Sequence, residues 1–244
     1  MIKKILLVPL LSIFLFAGVV QAQIQTNDLP DPGMLPGSNF YFLKNWSENI
    51  RTFFITDNVA KAERFLNLSE KRLAEANALK SRERSEIAER TIERYQDKLD
   101  KALVKAEEAR EKGIDTDEVL NKVSAAMFKH QEVLADIYEQ IPEQAKSGIE
   151  QAMHASMQRQ EQALEAISSE KREEAMENLE IKRQEREQRF EELRNRGVPV
   201  PEIPERNRAR QEIEEQNNEV DISETSNNSE IPAEAANAQN RGGR

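Results

Sequence analysis

Apolar residues recur at alternating spacings of three and four along much of the chain, and this period indicates helices that pack through one face. One such seam predicts a helix that begins at Asp57 or Asn58. It consists of Ala62, Leu66, Ser69, Leu73 and Ala76. A second seam consists of Ala88, Ile92, Tyr95, Leu99, Ala102, Ala106 and Ala109. A helix break near Ser81 stays open, because neither Gly nor Pro marks the position.

Two further seams flank Pro142 and predict a helical hairpin. Gly113 suits the end of the preceding helix, and Pro142 ends the next because the residue before a proline avoids the α region. The seam before the proline consists of Leu120, Val123, Met127, His130, Leu134, Ile137 and Ile141. The seam after it consists of Ile149, Ala152, Met153, Ser156, Ala163, Leu164 and Ile167. A connection this short implies antiparallel neighbours.

The last helix is predicted to run without interruption from Pro142 to Arg196. From Glu170 onward, 17 of 27 positions are charged and the two signs are interleaved. Such a segment is held by charge pairs three or four residues apart, so residues 169–196 are expected to form a solvated arm. Three apolar side chains of this arm could still dock elsewhere: Leu179, Phe190 and Leu193. The polar composition of residues 197–244 predicts disorder.

Aromatic residues concentrate in residues 40–54, a first helix that Ser38 or Asn39 can cap. Six of the 13 aromatic residues lie there: Phe40, Tyr41, Phe42, Trp46, Phe53 and Phe54. A large apolar side chain stabilises a fold by about 1.5–3 kcal/mol when it is fully buried. We therefore expect this helix to wedge into the core, and the alternative is an exposed docking surface.

The N-terminus has the pattern of a cleaved export signal over residues 1–22. Two lysines precede an apolar run at 5–20, and Val20 and Ala22 occupy the −3 and −1 positions of a cleavage site. An uncleaved membrane anchor is the alternative, although the run is short for a span of about 20 residues. Prolines and glycines in residues 23–37 predict a linker.

The composition favours an all-α fold. Strong helix formers dominate the middle of the chain, whereas aromatic residues make up 5% and there are only 8 Gly and 9 Pro. We predict an antiparallel helical bundle of coiled-coil hairpins over residues 38–168, then the long charged C-terminal helix and the disordered acidic tail. The helix seams would also permit a homo-oligomer.

The net charge and the absence of cysteine argue against several kinds of partner and chemistry. The formal charge of −10 becomes −12 if Lys3 and Lys4 leave with the signal. Like-charge repulsion argues against nucleic acid and anionic lipid as partners. Without cysteine the chain has no thiolate chemistry, no disulfide and no Cys-based zinc site. No membrane span is expected after signal cleavage.

Four stretches of the chain carry a shared pattern: PGSNFYFLK at 36–44, FFITD at 53–57, AERFLNLSEKRLAE at 62–75, and IPEQAK at 141–146 followed by Ile149 and Glu150. Together they resemble an exported bacterial helical family known as domain of unknown function 5667, over about residues 35–165. The resemblance implies export, a helical bundle and a bacterial origin. The family has no established activity whose residues could be transferred.

The two histidines suggest the only metal hypothesis that the sequence supports. His130 and His154 lie twelve residues before and after Pro142, so a tight hairpin could bring them face to face. Zinc or copper could then bind between them, because imidazole with carboxylate suits zinc and imidazole with thioether suits copper. The candidate ligands are His130, His154, Glu150, Met127, Met153 and Met157. The alternative is that these histidines and methionines only fill the core.

No motif of enzyme chemistry stands out. The chain has no Gly-rich phosphate loop, no nucleophile elbow and no zincin pair of histidines. We therefore expect an exported, non-enzymatic helical module that binds a protein or cell-envelope partner. One alternative is a metal-binding or stress-sensing bundle of the cell envelope. Another is an extracytoplasmic holdase chaperone.

Overall fold

The periodic segments form six α-helices in the computed structural model, which describes residues 29–201 apart from the side chain of Arg82. The helices are α1 (Tyr41–Phe53), α2 (Asn58–Ala78), α3 (Ser85–Arg110), α4 (Asp117–Gln140), α5 (Glu143–Ala166) and α6 (Ser169–Asn195). Residues 29–201 contain no strand, so the predicted all-α fold is confirmed. The predicted signal (1–22), residues 23–28 of the linker and the tail from residue 202 lie outside the described residues.

Two hairpins make up the body of the bundle. α2 pairs with α3 and α4 with α5, and the hairpins lie side by side so that α2 packs on α4 and α3 on α5. Ion pairs between the hairpins show their relative direction: Lys122 Nζ lies 2.6 Å from Glu63 Oε1, and Lys129 Nζ lies 2.7 Å from Glu70 Oε1. From the first pair to the second, the residue number rises on both α2 and α4, so the two helices run parallel.

The predicted seams of the two hairpins line the core. Every seam position named for α2, α3 and α4 is buried, and so is the α5 seam except for the half-buried Leu164. Tyr95, Phe128 and Leu99 are among the largest side chains that lose all or nearly all contact with solvent. The four alanines of the α3 seam are equally buried and let the helices approach closely.

The connections between helices include a break near Ser81 and a corner at Pro142. A break does occur near Ser81: α2 ends at Ala78, Ser81 is extended with ψ 150°, and the 3-10 helix Arg82–Arg84 leads into α3. The corner at Pro142 lies where it was predicted, because Ile141 before it is extended with ψ 149°.

The predicted uninterrupted helix from 142 to 196 is wrong, because the chain turns at Ile167 and Ser168. Both residues are extended, with ψ 139° and 145°. Asp117, the first residue of α4, accepts hydrogen bonds from the Ser168 backbone N–H (2.8 Å) and hydroxyl (2.6 Å). Arg172 donates to the carbonyl oxygens of Glu165 (2.8 Å) and Ile167 (2.9 Å) at the end of α5. Side chains distant in sequence therefore stabilise a turn that has no Gly or Pro.

α6 also differs from the expected solvated arm, because one side of it packs against α4. Its buried residues are Ala175, Met176, Leu179, Phe190 and Leu193. Arg186 and Arg196 add ion pairs to Glu132 (3.3 Å) and Glu139 (3.1 Å) on α4. Val198 and Val200, at the start of the predicted tail, are buried as well. The other side of α6 is charged and exposed, as the sequence predicts.

No helix among residues 29–201 is both long enough and apolar enough to cross a membrane. Residues 29–40, which include the described part of the linker (29–37), lead into α1 without forming a helix. Gly33 and Gly37 supply its left-handed turns, with φ of 59° and 92°.

Candidate functional site

α1 is attached to the bundle through its polar side. Glu48 of α1 and Glu75 of α2 both pair with Arg72, and all three are buried. The Tyr41 hydroxyl donates to Glu75 (2.6 Å) and accepts from Arg72 (2.9 Å), while Lys44 donates to Glu75 (2.5 Å). We call these five residues the buried polar network. It connects α1 to the C-terminal half of α2 through charged and hydroxyl groups.

The electrostatics of this network favour its charged arginine. Burial alone would lower the pKa of Arg72, but the adjacent Glu75 and Glu48 carboxylates and Tyr41 raise it above its usual value. Burial, followed by the hydrogen bond to Glu75, raises the pKa of Tyr41. The Tyr41 ring also lies under three cations, with Arg72, Lys44 and Arg94 5.7–5.8 Å from its centroid.

The opposite side of α1 is apolar and faces solvent. It consists of Phe42, Leu43, Trp46, Ile50, Phe53 and Phe54, which we call the aromatic face. The exposed fraction of these side chains ranges from 36% for Ile50 to 79% for Phe53. Phe42, Trp46, Ile50 and Phe53 follow one another at helical spacing, so they form a continuous stripe. Phe40, just before α1, is 62% exposed.

The prediction that this helix wedges into the core is therefore wrong, because its apolar side is exposed to solvent. Of the six aromatic residues in the segment, only Tyr41 reaches the bundle. The reason is that α2 offers α1 the buried charges of Arg72 and Glu75, which only the polar side of α1 can satisfy.

The aromatic face lacks free acidic groups. Between residues 33 and 56 the only carboxylate is Glu48, and that one is buried against Arg72. The exposed charge that remains on α1 is Arg51. In a chain with a net charge of −10 this segment is locally uncharged to weakly basic.

The six predicted metal ligands differ in their burial. His130 is fully buried on α4, whereas His154 on α5 is exposed. Glu150 accepts a hydrogen bond from the Tyr138 hydroxyl (3.0 Å). Met127 and Met153 are fully buried core side chains, and Met157 is half-buried. Among the residues that the structure describes, no three His, Asp or Glu side chains are placed to hold a metal ion.

His130 instead belongs to a polar cluster inside the bundle. The Tyr95 hydroxyl lies 3.2 Å from His130 Nδ1, and the two rings meet edge to face at 5.4 Å. His130 Nε2 lies 3.8 Å from Glu70 Oε1, beyond hydrogen-bond distance, and Glu70 is paired with Lys129. Burial lowers the pKa of His130, which favours the neutral imidazole despite the nearby carboxylate.

The sequence contains a charge pattern that is consistent with the orientation of α1. Lys44 and Glu48 are one turn apart on α1, and both fall on the side opposite Phe42 and Trp46. Arg72 and Glu75 sit beside the α2 seam, three residues apart. Two charge pairs on facing helices can form an interhelical network, but which side of α1 turns inward depends on tertiary contacts.

Comparison with known proteins bears on residues 33–144, from the turn before α1 to the start of α5. These residues match the family model described as Domain of unknown function (DUF5667). No curated protein and no solved structure matches the chain. The matched range includes both α1 and the part of α2 that holds it, so the aromatic face and the buried polar network lie within it. The sequence resemblance to the domain of unknown function DUF5667 is confirmed over residues 33–144, whereas export and a bacterial origin stay predictions.

Proposed function

We propose that the protein is an exported, non-enzymatic helical module that binds a protein or cell-envelope partner through the aromatic face of α1. The observation that carries this proposal is the outward orientation of the six apolar side chains of the aromatic face, on a helix that is attached to the bundle by buried ion pairs. Large exposed apolar patches are uncommon on soluble domains and typically mark interaction sites. Export rests on the N-terminal sequence pattern.

The contacts that attach α1 to the bundle favour a binding surface of fixed orientation and argue against a loosely held helix. Arg72 and Glu75 are buried and bind side chains from two successive turns of α1, namely Tyr41, Lys44 and Glu48. A helix held in this way presents its apolar stripe in one orientation, which reduces the entropy lost on binding. Burying one large apolar side chain of the stripe in a partner would contribute about 1.5–3 kcal/mol.

The experiment compares binding of two variants to an envelope fraction from the cells that produce the protein. We expect the wild-type protein to sediment with this fraction and the variant Phe42→Ser/Phe53→Ser to stay in the supernatant. The control variant Val104→Ser/Ile181→Ser removes two exposed apolar side chains (53% and 51%) from α3 and α6, and should sediment like the wild type. Equal sedimentation of both variants would contradict the proposal.

A holdase chaperone is the second candidate, because the same aromatic face could bind unfolded clients. It predicts that the wild-type protein suppresses aggregation of a heated client and that Phe42→Ser/Phe53→Ser does not. Failure of the wild type in this assay, together with binding to the envelope fraction, would leave the binding module. The metal-binding alternative gains no support from the different burial of His130 and His154.

A further inference from the structure

We propose that the partner of the aromatic face is the surface of a lipid bilayer, into which α1 inserts its apolar stripe while lying parallel to the membrane plane. This inference rests on the proposed function, because it names the partner of the same face. It is carried by the shape of the stripe, by the charge around it and by the position of α1 in the chain.

The shape of α1 suits an interfacial helix. Its 13 residues extend for about 20 Å, and its apolar and polar sides are separated along the whole length. Helices that lie in the membrane interface have this division, with Trp, Phe and Leu on the inserted side. Here Trp46 lies mid-stripe between phenylalanines at either end, Phe42 and Phe53. The polar side is turned to the bundle, so the protein body would stay on the aqueous side.

The charge around the stripe is compatible with a lipid surface, although the net charge of the whole chain is not. The one carboxylate of residues 33–56, Glu48, is neutralised by Arg72 inside the protein. Only Arg51 adds an exposed charge on α1. The border therefore has few charged groups with which a protein partner could be selected, whereas insertion of apolar side chains needs none.

The position of α1 in the chain places it near a membrane. Twenty-eight residues precede the described part of the chain, and they include the apolar run at 5–20. Tyr41 follows that run by 21 residues, which span at most about 70 Å when extended. A run that is retained as an anchor would hold α1 within reach of the bilayer, and a run that is cleaved would bring α1 close to the bilayer during export.

The net charge of −10 constrains the kind of lipid. Repulsion from an anionic surface acts on the whole acidic chain, whereas insertion of the stripe depends on apolar burial. We therefore expect binding to zwitterionic phosphatidylcholine vesicles that is at least as tight as binding to vesicles containing phosphatidylglycerol. Added salt should not weaken binding to phosphatidylcholine, because no charge pairs with the lipid there.

Trp46 makes the test direct, because it is the only tryptophan of the chain. The protein, purified as the producing cells export it, is mixed with phosphatidylcholine vesicles while the tryptophan emission is recorded. We expect a blue shift of the emission and quenching by brominated acyl chains. Phe42→Ser/Phe53→Ser, which retains Trp46, should lower the partition coefficient at least tenfold, whereas Val104→Ser/Ile181→Ser should leave it unchanged. Thermal melts establish that both variants are folded.

Several outcomes would overturn the inference. An unchanged Trp46 emission with vesicles, together with sedimentation on the envelope fraction, would leave the proposed function and point to a protein partner. Binding only to phosphatidylglycerol vesicles, and lost at about 1 M salt, would indicate attraction by charge instead of insertion. A blue shift that rises with protein concentration in the absence of vesicles, accompanied by dimer formation, would assign the face to a second copy of the chain. Failure to bind either vesicles or the envelope fraction would contradict the proposed function as well.

Discussion

Arg72 on α2 and Glu48 on α1 form an ion pair that is buried beneath α1, and this pair turns the aromatic side of the helix to solvent. Arg72 also pairs with Glu75 and donates to the Tyr41 hydroxyl, so one guanidinium joins two carboxylates and a phenol. An ordinary surface helix of a bundle buries its apolar side. α1 does the reverse because α2 presents charges that need partners at this position.

Replacing Arg72 by Met should be strongly destabilising. The change leaves Glu48 buried without its cation and leaves Lys44 as the remaining cation paired with Glu75. Breaking one side of a buried ionic network typically costs about 3–5 kcal/mol. The free energy of unfolding from urea denaturation measures the effect. Adding Glu48→Gln to the Arg72→Met variant should recover part of the loss, because one uncompensated charge is then removed.

Arg51→Met is the matched control, since it removes an exposed arginine from the same helix. It should leave the free energy of unfolding little changed. If Arg72→Met were no more destabilising than Arg51→Met, the buried network would not hold α1, and the orientation of the aromatic face would need another cause.

Two phenylalanines show the difference between the packed side of α6 and the exposed side of α1. Phe190 on α6 is fully buried, whereas Phe53 on α1 is 79% exposed. Phe190→Ala should therefore destabilise the protein by about 3–5 kcal/mol. Phe53→Ala should change stability by no more than about 0.5 kcal/mol. Denaturant melts of the two variants measure the difference. If Phe190→Ala left the free energy of unfolding nearly unchanged, α6 would not be packed against the bundle and the predicted solvated arm would be correct.

The helices of the two hairpins could be predicted from the sequence because burial alone decides their faces. Positions such as Leu73, Leu99 and Leu134 are apolar, recur at helical spacing and fall in the core. The corner at Pro142 was predictable for a local reason as well, since proline excludes the α conformation from Ile141. In these places local propensity, period and tertiary packing agree.

The features that escaped prediction depend on contacts between distant residues. The turn at Ser168 is held by Asp117, 51 residues earlier, and no local breaker marks it. The outward orientation of Trp46 is decided by Arg72, 26 residues later. The different burial of His130 and His154 also depends on tertiary contacts, because the rotation of each helix about its axis places His130 inside the core and His154 in solvent.

The turn between α5 and α6 gives a third prediction. Asp117→Ala removes the acceptor of two hydrogen bonds from Ser168 and a carboxylate from the N-terminal turn of α4. Hydrogen bonds to a charged group stabilise a protein by about 1.5–3 kcal/mol. Because Asp117 is partly exposed, we expect Asp117→Ala to lower the free energy of unfolding by roughly 1–2 kcal/mol. Hydrogen exchange should also show faster exchange at the start of α6.

Glu118→Ala is its control, because Glu118 is an acidic residue of the same helical turn that does not contact Ser168. The control should leave exchange in α6 at the wild-type rate. If both changes accelerated hydrogen exchange in α6 equally, the stability of the start of α6 would depend on the charge at the start of α4 and not on the contact to Ser168.

His130 should make the stability of the protein fall in mild acid. Burial lowers its pKa in the folded state below the ordinary value of 6.5, so between these two pKa values the unfolded chain binds a proton that the folded chain does not. The free energy of unfolding therefore decreases as the pH falls from about 7 through 6.5 toward the folded-state pKa. Glu70 acts at lower pH: its pKa lies below 4.5, so its contribution is lost only as the pH falls below that value.

Urea denaturation at intervals between about pH 7 and pH 5 isolates the contribution of His130, because carboxylates titrate mainly below this range. In the variant His130→Gln the decrease in stability across this interval should be smaller than in the wild type, whatever the absolute stability of the variant. His154→Gln alters the exposed histidine and should retain the wild-type decrease. If the pH dependence of His130→Gln equalled that of the wild type, the buried imidazole beside Tyr95 would not be the group that couples folding to protons in this range.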